Sequence, residues 1–139
     1  MDPDTKQVGG NHYQSNYQHW DFVRMALKGR YLEGCATKYL YRWRKKGGIE
    51  DLEKAIHYLR KMMSEHLFFH NPQPLGRDAE RRHAAERFIF TNQVPSEESS
   101  IIYLIVEWET LVDLHLAESI IVDILAEEKL KFLPEQPIE

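Results

Sequence analysis

Three basic side chains stand at helical spacing in the first half of the chain, at Lys38, Arg42 and Lys45. With successive residues about 100° apart, as in an α-helix, these three fall within about 60° of one another. Lysine supplies a point charge and arginine a planar fork of N–H donors, and both bind phosphate well. The spacing therefore predicts an anion-binding face on one helix.

The following stretch carries a second polar face, made of Asp51, Lys54, Tyr58 and Lys61. Lys54 would add to the phosphate-binding charge. A carboxylate such as Asp51 is suited to holding Mg²⁺ or to orienting a cation. If the two helices pack through their apolar sides, both polar faces border a single groove. Periodicity alone also fits two solvated helix faces, so an anion site is the hypothesis that this pattern permits.

Apolar periodicity predicts the elements that position these faces. We expect a short helix over about 20–28, a second helix over 31–46 and a third over 49–69. The Gly47-Gly48 pair between the last two helices indicates an antiparallel helical hairpin.

The second half of the chain is also expected to be helical. Residues 70–78 have the composition of a linker, and a charged helix is expected over about 79–88. A helix start at 95–98 is followed by one long helix or two shorter ones over 101–131. The fold class is therefore all-α, with a helical hairpin core and additional C-terminal helices. The predicted domains are a basic helical domain (1–69), a linker (70–78) and an acidic helical region (79–139).

Charge is distributed unevenly along these regions. Residues 6–65 contain twelve Lys and Arg against six Asp and Glu, whereas residues 67–139 contain six against fourteen. The basic half is suited to an anionic ligand. The acidic half carries an apolar stripe, so we expect it to form a homo-oligomer.

The remaining composition excludes several classes of protein. The single cysteine, Cys35, permits no disulfide within the chain. No signal-peptide pattern and no apolar run of about 18 residues is found, so we expect a cytoplasmic protein without a membrane span. The P-loop pattern G-x-x-x-x-G-K-[ST] is missing, so an ordinary P-loop kinase is excluded.

Four short motifs follow one another in a distinctive order between residues 8 and 66. They are Asn-His-Tyr at 11–13, Lys-Tyr-x-x-Arg at 38–42, Lys-Lys-x-Gly at 45–48 and Asp-Leu-x-Lys-Ala at 51–55. This stretch resembles the small bacteriophage proteins labelled nucleotide kinases, which are related to the phage T7 deoxynucleoside monophosphate kinase. The resemblance implies phosphoryl transfer to a deoxynucleotide, with Mg²⁺ as cofactor, in the cytoplasm of an infected bacterial host.

The resemblance also implies site residues, because the family motifs fall on His12, Tyr13, Lys38, Tyr39, Arg42, Lys45, Asp51 and Lys54. The cations at 38, 42, 45 and 54 would bind phosphate together with the Tyr39 side chain. His12 would be a phosphate donor or proton carrier, and Tyr13 would stack on the base. Asp51 would hold the metal, or would instead pair with Lys54.

The sequence leaves the activity open. One alternative is a non-catalytic protein that sequesters a nucleotide signal of host defence, which needs cations and aromatic rings but no metal-binding carboxylate. Another is an all-α nucleotide pyrophosphohydrolase, for which Glu107, Glu109 and Asp113 are a partial carboxylate set. Nucleic-acid binding is possible but not favoured, because no signature of a known nucleic-acid-binding fold is present.

Overall fold

The computed structural model describes residues 17–134, and within that range it contains helices and no β-strand. The α-helices are α1 (His19–Ala26), α2 (Tyr31–Arg42), α3 (Gly48–Phe69), α4 (Ala79–Thr91), α5 (Ser96–Val106) and α6 (Leu111–Leu130). A π-helical turn, Trp43–Gly47, joins α2 to α3. The predicted all-α class is confirmed for this part of the chain. None of the helices described there is long and apolar enough to cross a membrane.

Helix α1 is shorter than the 20–28 stretch that the sequence predicts. It begins with a capping box, in which the side chains of Gln18 and Asp21 are paired reciprocally with backbone N–H groups. It ends at Ala26 because Lys28 and Gly29 both have positive φ angles, of 54° and 71°, which an α-helix does not accommodate.

Helices α2 and α3 form the hairpin, but the connection between them differs from the prediction. The sequence predicts one helix over 31–46, whereas α2 ends at Arg42 and the next five residues form the π-helical turn. This turn brings the Asp51 carboxylate against the backbone of Gly47. A Cβ atom at residue 47 would lie 1.9 Å from Asp51 Cγ, so this position accommodates glycine only.

The hydrophobic core is shared by residues from both halves of the chain. Leu40 and Leu59 of the hairpin are fully buried, as are Phe88 of α4 and Trp108 between α5 and α6. The Trp108 indole N–H donates to the buried carboxylate of Glu33 over 3.2 Å. Core residues thus come from both sides of 70–78, and the three-part domain division stays a prediction.

The segment 70–78, expected to be a linker, is attached to the fold at several of its residues. Leu75 is buried, and the Gly76 N–H donates to the carbonyl of Trp108 over 2.8 Å. The stretch predicted as one long helix or two shorter ones proves to be two, α5 and α6. Asp113 defines the start of α6, because its side chain accepts from backbone N–H groups in a capping box with Thr110.

Helix α6 packs against α3, and α4 packs against α1. Arg60 of α3 donates to Glu118 of α6 over 2.7 Å. The ring of His66, near the end of α3, lies edge-on to Trp108 with centroids 5.2 Å apart. The end of α3 therefore lies beside the start of α6.

Candidate functional site

The Tyr39 ring, half-buried on α2, is surrounded by cations. Lys38 Nζ lies 5.6 Å from the ring centroid, Arg42 Cζ 4.9 Å and Lys54 Nζ 5.2 Å. These are cation–π distances, so the ring holds three positive groups in one small area. Four residues singled out by the sequence, from α2 and α3, are thus brought together.

Two further tyrosines extend this site along the hairpin. Tyr58 of α3 stacks on Tyr39 with centroids 5.8 Å apart and an interplanar angle of 6°. Tyr31, at the start of α2, meets Tyr58 edge-on at 6.3 Å. We call Tyr31, Tyr58 and Tyr39 the tyrosine row. Tyr31 is 72% exposed, so its ring is open to a stacking partner.

The phenol of Tyr31 remains protonated throughout the physiological pH range. Side-chain hydrogen bonds to Cys35 and Tyr58 raise the pKa of Tyr31 to about 12. Its hydroxyl group is therefore neutral and is already hydrogen-bonded within the hairpin. Cys35 is partly exposed on α2, beside this hydroxyl.

Arg42 is positioned by the buried carboxylate of Asp51. Its Nε donates to Asp51 Oδ2 over 2.8 Å and its Nη2 to Oδ1 over 3.3 Å. A fork of this kind fixes the guanidinium plane, here beside Tyr39. Both carboxylate oxygens of Asp51, which is 1% exposed, thus accept from one arginine.

Asp51 is also the residue expected to pair with Lys54 or to hold Mg²⁺. Lys54 pairs with Glu50 instead, over 3.2 Å. Within residues 17–134 no group of three or more His, Cys, Asp or Glu side chains is arranged to hold a metal ion. Mg²⁺ binding at Asp51 stays a prediction.

Lys45 does not contact the Tyr39 ring. Its Nζ lies 4.3 Å from the centroid of the Tyr41 ring and donates to the Tyr41 hydroxyl over 2.9 Å. That hydroxyl in turn donates to Asn92 Oδ1 at the end of α4 over 3.2 Å. The sequence predicts Lys45 beside Lys38 on one continuous helix, and the π-helical turn changes its direction.

The other sequence candidates are placed as follows. His12 and Tyr13 lie outside the described residues. Glu107 pairs with Arg82 over 3.5 Å and Glu109 with Arg77 over 3.1 Å, while Asp113 caps α6. Each carboxylate of the hydrolase-like set therefore already has a structural partner.

Sequence reasoning missed Tyr31 as a site residue, and it placed Tyr58 on the second polar face without naming it as a ligand-binding residue. The signal was present, because positions 31, 35, 38, 39 and 42 recur at three- and four-residue steps on α2. Lys38 is exposed and forms no ion pair with the residues that the structure describes. The Lys54–Glu50 pair is solvent-exposed and therefore weak, so the charge of Lys54 is also accessible to a ligand.

Comparison with known protein families finds a match in the first half of the chain. A family described as a protein of unknown function (DUF3310) matches residues 8–60. This match covers α1, α2, the π-helical turn and the first half of α3, and therefore most of the residues around Tyr39. No curated protein and no solved structure gives a significant match.

Proposed function

We propose that this protein binds a nucleotide on the α2–α3 hairpin, along the tyrosine row and the cations around Tyr39. The observation that carries the proposal is the group of three cations around Tyr39, with the exposed ring of Tyr31 at the other end of the tyrosine row. Phosphate would lie between Lys38 and Lys54, and the base would stack on Tyr31.

Each part of this arrangement suits one part of a nucleotide. Lysine and arginine side chains bind phosphate oxygens through charge-assisted hydrogen bonds. An exposed aromatic ring offers a stacking surface for any base. Arg42 is held in one orientation by Asp51, so its positive charge is fixed beside Tyr39 before a phosphate arrives.

Binding without turnover is the better-supported form of this function. Phosphoryl transfer depends on positioning and on neutralising the charge that develops on the phosphoryl oxygens, commonly with Mg²⁺. Within the described residues, both oxygens of Asp51 accept from Arg42. Sequestration of a nucleotide requires only the cations and the rings, and phosphoryl transfer with Mg²⁺ stays a prediction.

We further propose that two copies of the chain associate through the junction of α3 and α6. Leu67 and Phe68, at the end of α3, are 59% and 71% exposed. Val112 and Leu116, on the first turns of α6, are 71% and 50% exposed. The end of α3 lies beside the start of α6, and we infer that these four exposed side chains contribute to one apolar patch of the kind found at protein interfaces.

The nucleotide-binding proposal can be tested with purified full-length protein, Mg²⁺ and nucleoside mono-, tri- and cyclic phosphates. Calorimetry measures binding, and chromatography of the same samples shows whether any nucleotide is converted. We expect binding to weaken roughly tenfold in Lys38→Ala and in Lys54→Ala, which corresponds to about 1.4 kcal/mol of binding free energy in each variant. Tyr31→Ala should weaken binding by removing the stacking surface.

Lys46→Ala is the matched control, since Lys46 is an exposed lysine on the π-helical turn and its replacement removes the same charge. Its affinity should equal that of the unmodified protein. Recovery of the ligand unchanged supports sequestration, whereas transfer of phosphate from a triphosphate to a monophosphate supports a kinase. Absence of binding to every nucleotide tested would refute the proposal.

A further inference from the structure

A cavity with a volume of about 440 Å³ lies between α1 and α4, away from the tyrosine row. The two helices run antiparallel. Asn92, after the end of α4, donates to the Tyr17 carbonyl over 2.8 Å, while Arg81 near the start of α4 donates to the Ala26 carbonyl over 3.4 Å. The cavity has the size of a small-molecule site. We call it the α1/α4 groove.

One end of the α1/α4 groove carries the arginine side chains that would bind an anion. The Tyr17 ring is 6% exposed and lies 4.6 Å from the Arg87 guanidinium carbon. Burial raises the pKa of Tyr17, while the charges of Arg87 and Arg24 lower it and that of Asp21 raises it. These three charged groups therefore lie close to the Tyr17 hydroxyl, and Asp21 is 3.4 Å from Arg24.

Arg87 is available to a ligand. Within the described residues its guanidinium group contacts the Tyr17 ring and forms no ion pair. A guanidinium group stacked on an aromatic ring keeps its N–H edge free for bidentate bonding to a carboxylate or phosphate.

The other end of the groove has different chemistry. Glu80 and His83 line it from α4, and Met25, which is 53% exposed, lines it from α1. Glu80 forms no ion pair with any described residue, whereas His83 lies 3.4 Å from Glu86. The groove therefore combines the cations Arg24 and Arg87, the first of them paired with Asp21, with a second carboxylate at Glu80, which forms no ion pair with the residues described.

We propose that the α1/α4 groove binds a small organic anion whose opposite end carries a positive group. Its phosphate or carboxylate would lie over Tyr17 between Arg24 and Arg87, and its cationic group would face Glu80. This ligand class has the charge pattern of an amino acid that carries an additional anionic group. None of these residues belongs to the tyrosine row, so the groove is a separate site.

The test is a titration of the full-length protein with phosphoserine, in which calorimetry measures the affinity and NMR measures the shifts of the backbone amides. Phosphoserine should bind more tightly than inorganic phosphate or serine, and should shift the amides of the groove residues. Arg24→Gln and Arg87→Gln should each weaken its binding roughly tenfold. Glu80→Gln should weaken phosphoserine binding but leave inorganic phosphate binding unchanged.

Arg77→Gln is the matched control, because Arg77 is 84% exposed and lies outside the groove. It should bind phosphoserine like the unmodified protein, and circular dichroism should show that every variant is folded. Failure of phosphoserine to shift the groove amides at millimolar concentration, or equal binding by Arg87→Gln, would overturn the proposal. Binding that disappears in Lys38→Ala but is kept in Arg87→Gln would refute the groove while supporting the hairpin site.

Discussion

His19 shows how a single side chain links α1 to both α2 and α4. Its Nε2 lies 2.9 Å from the hydroxyl of Thr37, which is fully buried on α2. Its ring also contacts Phe22 and Phe88, with centroids 5.7 and 5.9 Å apart. Burial, with a smaller contribution from nearby Lys38, lowers the pKa of His19 to about 4. The folded protein therefore holds this imidazole neutral.

The lowered pKa predicts that stability depends on pH. Between about pH 6.5 and pH 4 the unfolded chain binds a proton at His19 that the folded chain excludes. The contribution of His19 to the free energy of unfolding should therefore be constant above pH 6.5 and fall as the pH is lowered toward 4. The loss attributable to His19 is up to about 3 kcal/mol.

Urea denaturation between about pH 4.5 and 7.5 measures this dependence on His19 ionisation. His19→Gln keeps a hydrogen-bonding group beside Thr37 but cannot take up the proton. Its unfolding free energy should therefore change less steeply with pH over the same range. Parallel curves for the variant and the unmodified protein would show that His19 does not cause the dependence.

At the scale of the helices, Arg81 holds three chain segments together. This side chain is 5% exposed and donates to backbone carbonyls only. Its Nη1 donates to Val106 over 2.6 Å, and its Nη2 donates to Leu75 over 2.9 Å. A third carbonyl, that of Ala26 at the end of α1, lies 3.4 Å from Nη1. The ends of α1 and α5 and the 70–78 segment thus share one guanidinium group.

We expect Arg81→Leu to lower the free energy of unfolding by roughly 3 kcal/mol, because it leaves several buried carbonyls without a donor. Arg82→Leu is the control. The neighbouring Arg82 is exposed and its ion pairs with Glu86 and Glu107 are long, so we expect a loss of only about 0.5 kcal/mol. Chemical denaturation measures both. Equal losses in the two variants would contradict the role given to Arg81.

The helices were largely predictable from the sequence, whereas the details that shape the site were not. Apolar spacing predicted α2 and α3 because each buries a stripe of side chains. The same spacing could not reveal the π-helical turn, nor the tertiary contact that it makes, in which Arg44 pairs with the buried Glu98 of α5 over 2.6 Å. The grouping of Lys38, Arg42 and Lys54 around Tyr39 was predictable. The position of Lys45 beside Tyr41 instead was not, because it depends on that turn.

At the scale of the whole molecule, the apolar patch at the junction of α3 and α6 predicts self-association. Sedimentation velocity at tens of micromolar should show a dimer. Phe68→Lys and Leu116→Lys should shift the protein toward monomer, because each places a charge in the interface. A monomer at these concentrations would refute the proposed association of two copies.

Phe90→Lys is the control for that measurement. Phe90 is 87% exposed on α4, outside the patch, so this variant introduces the same side chain at a distant surface. It should sediment like the unmodified protein. If it dissociates the dimer as strongly as Leu116→Lys does, the α3–α6 junction is not the interface.

The π-helical turn makes the length of the chain critical between Trp43 and Gly47. Most connections tolerate an insertion or a deletion, because a loop can absorb the change. Here the loss of one residue would restore an ordinary α-helical repeat and rotate everything before it by about 100° relative to α3. Tyr39 would then turn away from Tyr58. Homologous chains that keep the tyrosine row should therefore show no gaps in these five positions and should keep glycine at position 47, even where the other four residues differ.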